Sequence, residues 1–175
     1  LSAQGDQVAK YDAQNFFKIP AEPVMDKDGN WVTTSVAFPG RTITARLWKV
    51  AVGRTDLYLM DTDFEANIDE DRQVTYHLYG GDWENRLKQE LLLGVGGVRA
   101  LRALGLNPQV YHCNEGHAAF IGLERLREYI QNDNLDFPEA LEVVRASSLF
   151  TTHTPVPAGH DAFDEGLLRK YIGHY

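Results

Sequence analysis

Apolar and polar positions change their rhythm near residue 75. From Pro23 to about Asp63 the apolar residues come in short runs broken by turn formers. Asp28-Gly29 separates Pro23-Val24-Met25 from the run Trp31 to Val36, and Pro39-Gly40 separates that run from Thr42 to Val50. In the last of these, apolar residues alternate with Thr, Arg and Lys. Gly53 and Asp56 flank a third turn before Leu57-Tyr58-Leu59-Met60. A period of two puts alternate side chains on one face of a strand, and strands joined by such short turns pair antiparallel. The pattern predicts an antiparallel β meander.

After residue 75 the period becomes helical. Leu87, Leu91, Val95, Val98, Leu101 and Leu104 fall on one helical face. Asp82 suits the position that caps this helix, and Gly105 suits the left-handed position after it. Pro108 to Tyr111 reads as a short strand. Ala118 to Ile130 is helical through Phe120, Leu123, Leu126 and Ile130, and Pro138 opens a helix over 139–145. Ser148 to Thr152 is strand-like, and 164–172 reads as a final helix. Helix, strand, helix, helix, strand is the order of an α/β layer with a parallel sheet. The expected organisation is an N-terminal extension and meander over 1–74 and an α/β portion over 75–175, together part of one larger domain. From Leu1 in place of Met, and a final helix so near Tyr175, an internal piece of a longer protein is expected, the alternative being a processed or trimmed complete protein.

Composition narrows the function classes. The 175 residues are 43% apolar and 24% charged, which excludes a disordered or fibrous chain. Seventeen basic against 25 acidic residues give a net charge of −8, which disfavours nucleic acid and anionic membranes as partners. Cys113 is the only cysteine, so neither a disulfide framework nor a cysteine metal cage can form. A lone cysteine fits a cytoplasmic setting.

Candidate chemistry gathers in two segments, His112-Cys113-Asn114-Glu115-Gly116-His117 and Thr152-His153-Thr154-Pro155-Val156-Pro157-Ala158-Gly159-His160. Each follows a predicted buried strand. Ligands of parallel sheets bind outside the carboxyl ends of the strands, so Glu115, His117 and His153 can converge there. Carboxylate, amide and imidazole groups suit the hydroxyls of a polyol. The competing reading is that each histidine caps a helix or bonds a loop carbonyl. A metal site is disfavoured because His112 and His117 are five apart, not the four that align two ligands on a helix. Ser147 and Ser148 lack the elbow motif of an acyl-transfer nucleophile. Gly94-Val95-Gly96-Gly97 lies inside a helix and so is not a dinucleotide loop; close packing explains it better. The turn Asp26 to Asn30 is a turn, not a calcium loop, and the acidic run Asp61 to Asp71 reads as a solvated loop.

Three motifs carry a family resemblance. Leu78-Tyr79-Gly80-Gly81-Asp82-Trp83-Glu84-Asn85-Arg86-Leu87-Lys88-Gln89-Glu90, Asn114-Glu115-Gly116-His117 and Thr152-His153-Thr154 resemble, in order and spacing, segments of the alpha-glucan (glycogen, starch, maltodextrin) phosphorylases. The wording is closest to the divergent bacterial and archaeal branch. The resemblance implies part of the N-terminal Rossmann-like domain of a GT-B glycosyltransferase. It implies an enzyme that cleaves α-1,4-glucan with inorganic phosphate and releases α-glucose 1-phosphate. Pyridoxal phosphate is the implied cofactor, held by a lysine outside this chain, so the fragment alone is expected to be inactive. By the same resemblance His153 is catalytic, with its backbone carbonyl and imidazole facing the glucosyl unit. Asn114, Glu115, His117, Asp82 and Arg86 are the implied substrate-binding residues, with no metal and no cofactor ligand in the fragment. A homo-oligomeric full-length enzyme is left open. Two other classes stay open at this point: a nucleotide-sugar-dependent starch or glycogen synthase-like enzyme, and a non-catalytic carbohydrate-binding piece.

Overall fold

The computed structural model describes residues 2–5, 18–78, 80–155 and 161–175. Tyr79 and Val156 to His160 lie outside these, and so does His160 as a candidate. The predicted meander is present. β1 (Ala21–Pro23), β2 (Thr33–Phe38), β3 (Arg41–Val52) and β4 (Thr55–Asp61) form one antiparallel sheet. β3 is its centre. β2 pairs with Arg41 to Arg46, β1 with Trp48 to Val50, and β4 with Arg46 to Val52. Gly40, at φ 71°, and Gly53, at φ 61°, make the turns at either end of β3 in the left-handed region that glycine enters freely. Alternation works as read: Ile43, Ala45 and Leu47 are fully buried while Thr44 and Arg46 face the other way.

That buried face meets the helices. α1 (Asp69–Arg72) and a 3-10 turn (Gln73–Thr75) lead to α2 (Trp83–Leu91), which Asp82 caps by accepting from the Asn85 N–H at 2.9 Å. Val36, Phe38, Ile43 and Ala45 of the sheet form one core with Val74, Leu87, Leu91, Leu92, Val95 and Tyr171. The core therefore joins residues before and after position 75. α2 does not run straight into α3 (Gly97–Ala103); a π turn, Leu92–Gly96, intervenes. Its glycines pack closely, as expected. A Cβ on Gly94 would lie 2.7 Å from Phe120 Cβ and 2.9 Å from the Ile121 nitrogen, and one on Gly96 would lie 3.2 Å from Val36 Cγ2.

β5 (Tyr111–Asn114), α4 (Ile121–Gln131), α5 (Phe137–Ala146), β6 (Ser148–Thr151) and α6 (Glu165–Ile172) complete the chain. β5 and β6 are parallel, as the element order predicted. Asp136 and Glu139 close a capping box at the start of α5.

Three expectations are corrected. The strand predicted at 108–111 lies at Tyr111–Asn114, so His112 and Asn114 are strand residues; the parallel ladder with β6 fixes the shift. On α4 the fully buried residues are Glu124 and Arg125, while Ile130 is exposed. Glu124 is buried because Arg99 and Arg127 both donate to it. Arg125 is buried because it lies 4.0 Å above the Tyr111 ring and donates to Ser148 Oγ at 2.9 Å. The acidic run is no solvated loop, since Asp61 and Asp71 are buried. They pair with Arg46 and Arg41 of β3, and the Asn67 amide bonds the Thr44 backbone through both its oxygen and its nitrogen.

Candidate active site

The parallel pairing of Tyr111–Asn114 with Ser148–Thr151 brings two strand ends out side by side. Glu115 is the first residue beyond β5, and its N–H donates to the Thr151 carbonyl at 2.8 Å. Its backbone, at φ 59° and ψ −169°, occupies a region that almost only glycine uses. The side chain then turns into the loop after β6. Oε1 accepts from the backbone N–H groups of both His153 and Thr154 at 2.8 Å, and Thr152 Oγ1 lies 3.5 Å from Oε2. The residue is 2% exposed. The His153 amide, more than burial opposes it, holds the Glu115 carboxyl below the usual carboxylate range. The His153 ring bonds Asn114 Oδ1 through Nε2 at 3.0 Å and keeps 59% of its side chain exposed. Glu115, Asn114 and His153 are thus one cluster. His112 stands apart on β5, bonded to Thr151 Oγ1 at 2.6 Å.

His117 belongs to a second cluster. It sits on a 3-10 turn, Gly116–Ala118, and its Nδ1 is 2.5 Å from Nη2 of Arg86 on α2. Arg86 donates from Nε and Nη2 to Asp161 Oδ2 at 3.0 and 2.8 Å. The same Nη2 is 3.0 Å from Glu90 Oε1, one helical turn along, although it is not aligned to bond that buried oxygen. Burial, reinforced by a hydrogen bond with Asp161, pushes the Glu90 carboxyl up to about 8. Burial also acts on Asp161, but its bonds with Glu90 and Arg86 prevail and hold it low. Glu90, His117 and Asp161 offer ligand atoms within 4.8 Å of one another, a set that could hold a cation. The Arg86 guanidinium stands 2.5 to 3.0 Å from all three, so the chain's own cation fills that position. Beside the cluster, Arg86, Glu90 and His117 line a cavity of about 410 Å³ whose other walls include Leu59, Met60 and Leu92.

Of the sequence-predicted residues, the structure joins Asn114, Glu115 and His153 in one network and Arg86 and His117 in another. Asp82 enters neither: it is exposed, and its carboxylate caps α2. The Glu115 carboxylate is spent on loop amides and Thr152. Glu90 and Asp161 were not anticipated. Glu90 could have been found as the residue one turn after Arg86, whereas Asp161 has no local signal.

No family model matches the chain. Glycogen phosphorylase of Mycobacterium tuberculosis (strain H37Rv) is 45% identical over 178 residues, covering 98% of this chain and 21% of that protein. Maltodextrin phosphorylase of Thermococcus litoralis is 41% identical over 175 residues, covering 100% of this chain and 21% of that protein. Along almost its whole length the chain is similar to a segment of these phosphorylases. Glycogen phosphorylase of Aquifex aeolicus agrees, at 38% identity over 91% of the chain. The chain spans about a fifth of the length of the phosphorylases it matches. Among solved structures, the catalytic domain of starch synthase IV from Arabidopsis thaliana, bound to ADP and acarbose, is similar at TM-score 0.46 and 14% identity. It covers 81% of this chain and 24% of that one. Among the described residues no helix is long and apolar enough to cross a membrane.

Proposed function

We propose that this chain forms part of the sugar-binding wall of an alpha-glucan phosphorylase, in the N-terminal Rossmann-like domain of a GT-B enzyme of the cytoplasm. Identity of 41–45% across almost the whole chain supports the family reading. The observation that carries the mechanism is the Glu115 carboxylate gathering the His153 and Thr154 amides at the carboxyl edge of a parallel sheet. A loop held this way presents a fixed peptide and a mostly exposed imidazole to a ligand. The imidazole of His153, whose Nε2 bonds Asn114 Oδ1 and whose Nδ1 lies 3.3 Å from Glu115 Oε1, would bond a glucosyl hydroxyl by exchanging the Asn114 contact, and its backbone carbonyl would stabilise positive charge developing at the sugar ring. Asn114 orients the His153 ring, and Arg86 and His117 contribute polar contacts beside it. Glu115 positions this loop rather than binding sugar itself.

By the resemblance to the phosphorylases, pyridoxal phosphate would be held by a lysine outside this chain, and no step is derived through it. Lys49, Lys88 and Lys170 are paired with Asp56, Glu70 and Glu84. The substrates are α-1,4-glucan and inorganic phosphate, the product glucose 1-phosphate. The test is phosphorolysis of maltodextrin by the full-length protein. Phosphate-dependent release of glucose 1-phosphate is expected. Glucosyl transfer from a nucleotide sugar, with no requirement for phosphate, would overturn the reading.

A further inference from the structure

We propose that Asp161 and Glu90 are positioning residues that lock the Arg86 guanidinium against His117 Nδ1, so that the His117 ring proton is held on Nε2. The role in sugar binding rests on the phosphorylase reading; the locking does not. A guanidinium is always charged and only donates. The 2.5 Å contact from Arg86 Nη2 to Nδ1 therefore requires the lone pair on Nδ1, and the ring proton resides on Nε2.

What makes that contact permanent is the carboxyl pair. Asp161 Oδ2 takes both Nε–H and an Nη2–H, which fixes the plane of the guanidinium. Glu90, 4% exposed, stands 3.0 Å from the same Nη2 on the α2 side. Asp161 lies 75 residues from Arg86 in sequence, so the lock also ties α2 to the segment that follows β6. Two carboxyl groups this close in a buried place do not both ionise readily, and the raised Glu90 lets the pair share a proton and leave one net charge against Arg86. The geometry also disposes of a metal ion, because a cation bound by Glu90, His117 and Asp161 would have to displace Arg86.

The experiment uses the full-length protein labelled with 15N-histidine, with the His117 ring signals assigned by their loss in His117→Asn. Wild type is expected to show the Nε2–H tautomer. Asp161→Asn should move the ring signals toward the tautomeric average and lower kcat/KM for maltodextrin roughly tenfold, with little change in melting temperature. Glu90→Ala, which removes the second carboxyl group altogether, should shift the signals the same way by less and is read if Asp161→Asn fails to fold. A proton on Nδ1 in wild type, or ring signals unchanged in the variants, overturns the proposal. If the wild-type protein makes no glucose 1-phosphate, the phosphorylase reading falls while the ring signals still decide the lock.

Discussion

Glu115 combines a strained backbone with a fully engaged carboxylate, and the two can be separated by substitution. At φ 59° a Cβ is unfavourable, so the conformation persists only because the side chain holds the 153–154 loop and the amide holds Thr151. Glu115→Ala loses the carboxylate and keeps the strain, whereas Glu115→Gly loses both. Thermal melts should therefore place Glu115→Gly above Glu115→Ala, reversing the usual order of these residues. The depressed Glu115 carboxyl stabilises the fold above its ordinary unfolded range and loses that contribution as pH falls through the folded value, so its effect belongs to acid solution. His153 predicts the opposite balance. Its ring is mostly exposed, so His153→Ala in the full-length enzyme should barely change the melt. Loss of a sugar hydrogen bond should lower kcat/KM about ten- to a hundredfold, and wild-type kinetics would remove His153 from the site. Glu115 and His153 were legible because polar residues just beyond two parallel strands come out at one sheet edge, although those strands, read as buried, are largely exposed; Asn114 is the last residue of its strand. Glu90 and Asp161 were not legible. A Glu one turn from an Arg looks like an ordinary surface pair, and Asp161 meets Arg86 only through the tertiary fold.

At the scale of elements, period and capping chemistry were enough to foresee the meander, the longer helices and the parallel pair, but not α1, which falls in a run read as a solvated loop. They were blind to what depends on a neighbour. The π turn Leu92–Gly96 forms where the helix must pass Phe120 and Ile121, and the buried charges of α4 are tolerated only because Arg99, Arg127, Tyr111 and Ser148 meet them. A glycine in that turn and one just after it give a paired test. Gly94→Ala would set a Cβ 2.7 Å from Phe120 Cβ and 2.9 Å from backbone, which must shift at a cost of about 1–3 kcal/mol. Gly97, three residues on, has nothing within 4 Å of the same added atom. Gly97→Ala should instead stabilise the helix by up to about 1 kcal/mol. Denaturant unfolding of the two variants decides it, and equal effects at both positions would show that the close packing at Gly94 has no energetic weight.

Among the described residues the meander and the α/β portion share a core, and the stability of the chain should carry the signature of Glu90. A carboxyl pushed up to about 8 binds its proton more tightly in the folded state than in the unfolded one. Between the ordinary carboxylate value of about 4.5 and about 8 the folded chain holds the extra proton, so stability falls as pH rises through that window. Glu90→Gln removes the titration, and its melting temperature should fall less than wild type's between pH 5 and pH 8. Catalysis is a different matter from stability, because on the proposed reading this chain would make only one wall of a site. It spans about a fifth of the phosphorylases it resembles, and Leu149 and Phe150 of the two-stranded parallel pair are more than half exposed. A parallel sheet is ordinarily covered on both faces, and phosphate cannot be set against a glucosyl unit by a surface that meets only the sugar. The 175-residue chain on its own is therefore expected to release no glucose 1-phosphate from glycogen or maltodextrin and to bind no pyridoxal phosphate. Product above a no-protein control would mean that the clusters at Glu115–His153 and Arg86–His117 do the chemistry unaided, against the division of labour argued from their geometry.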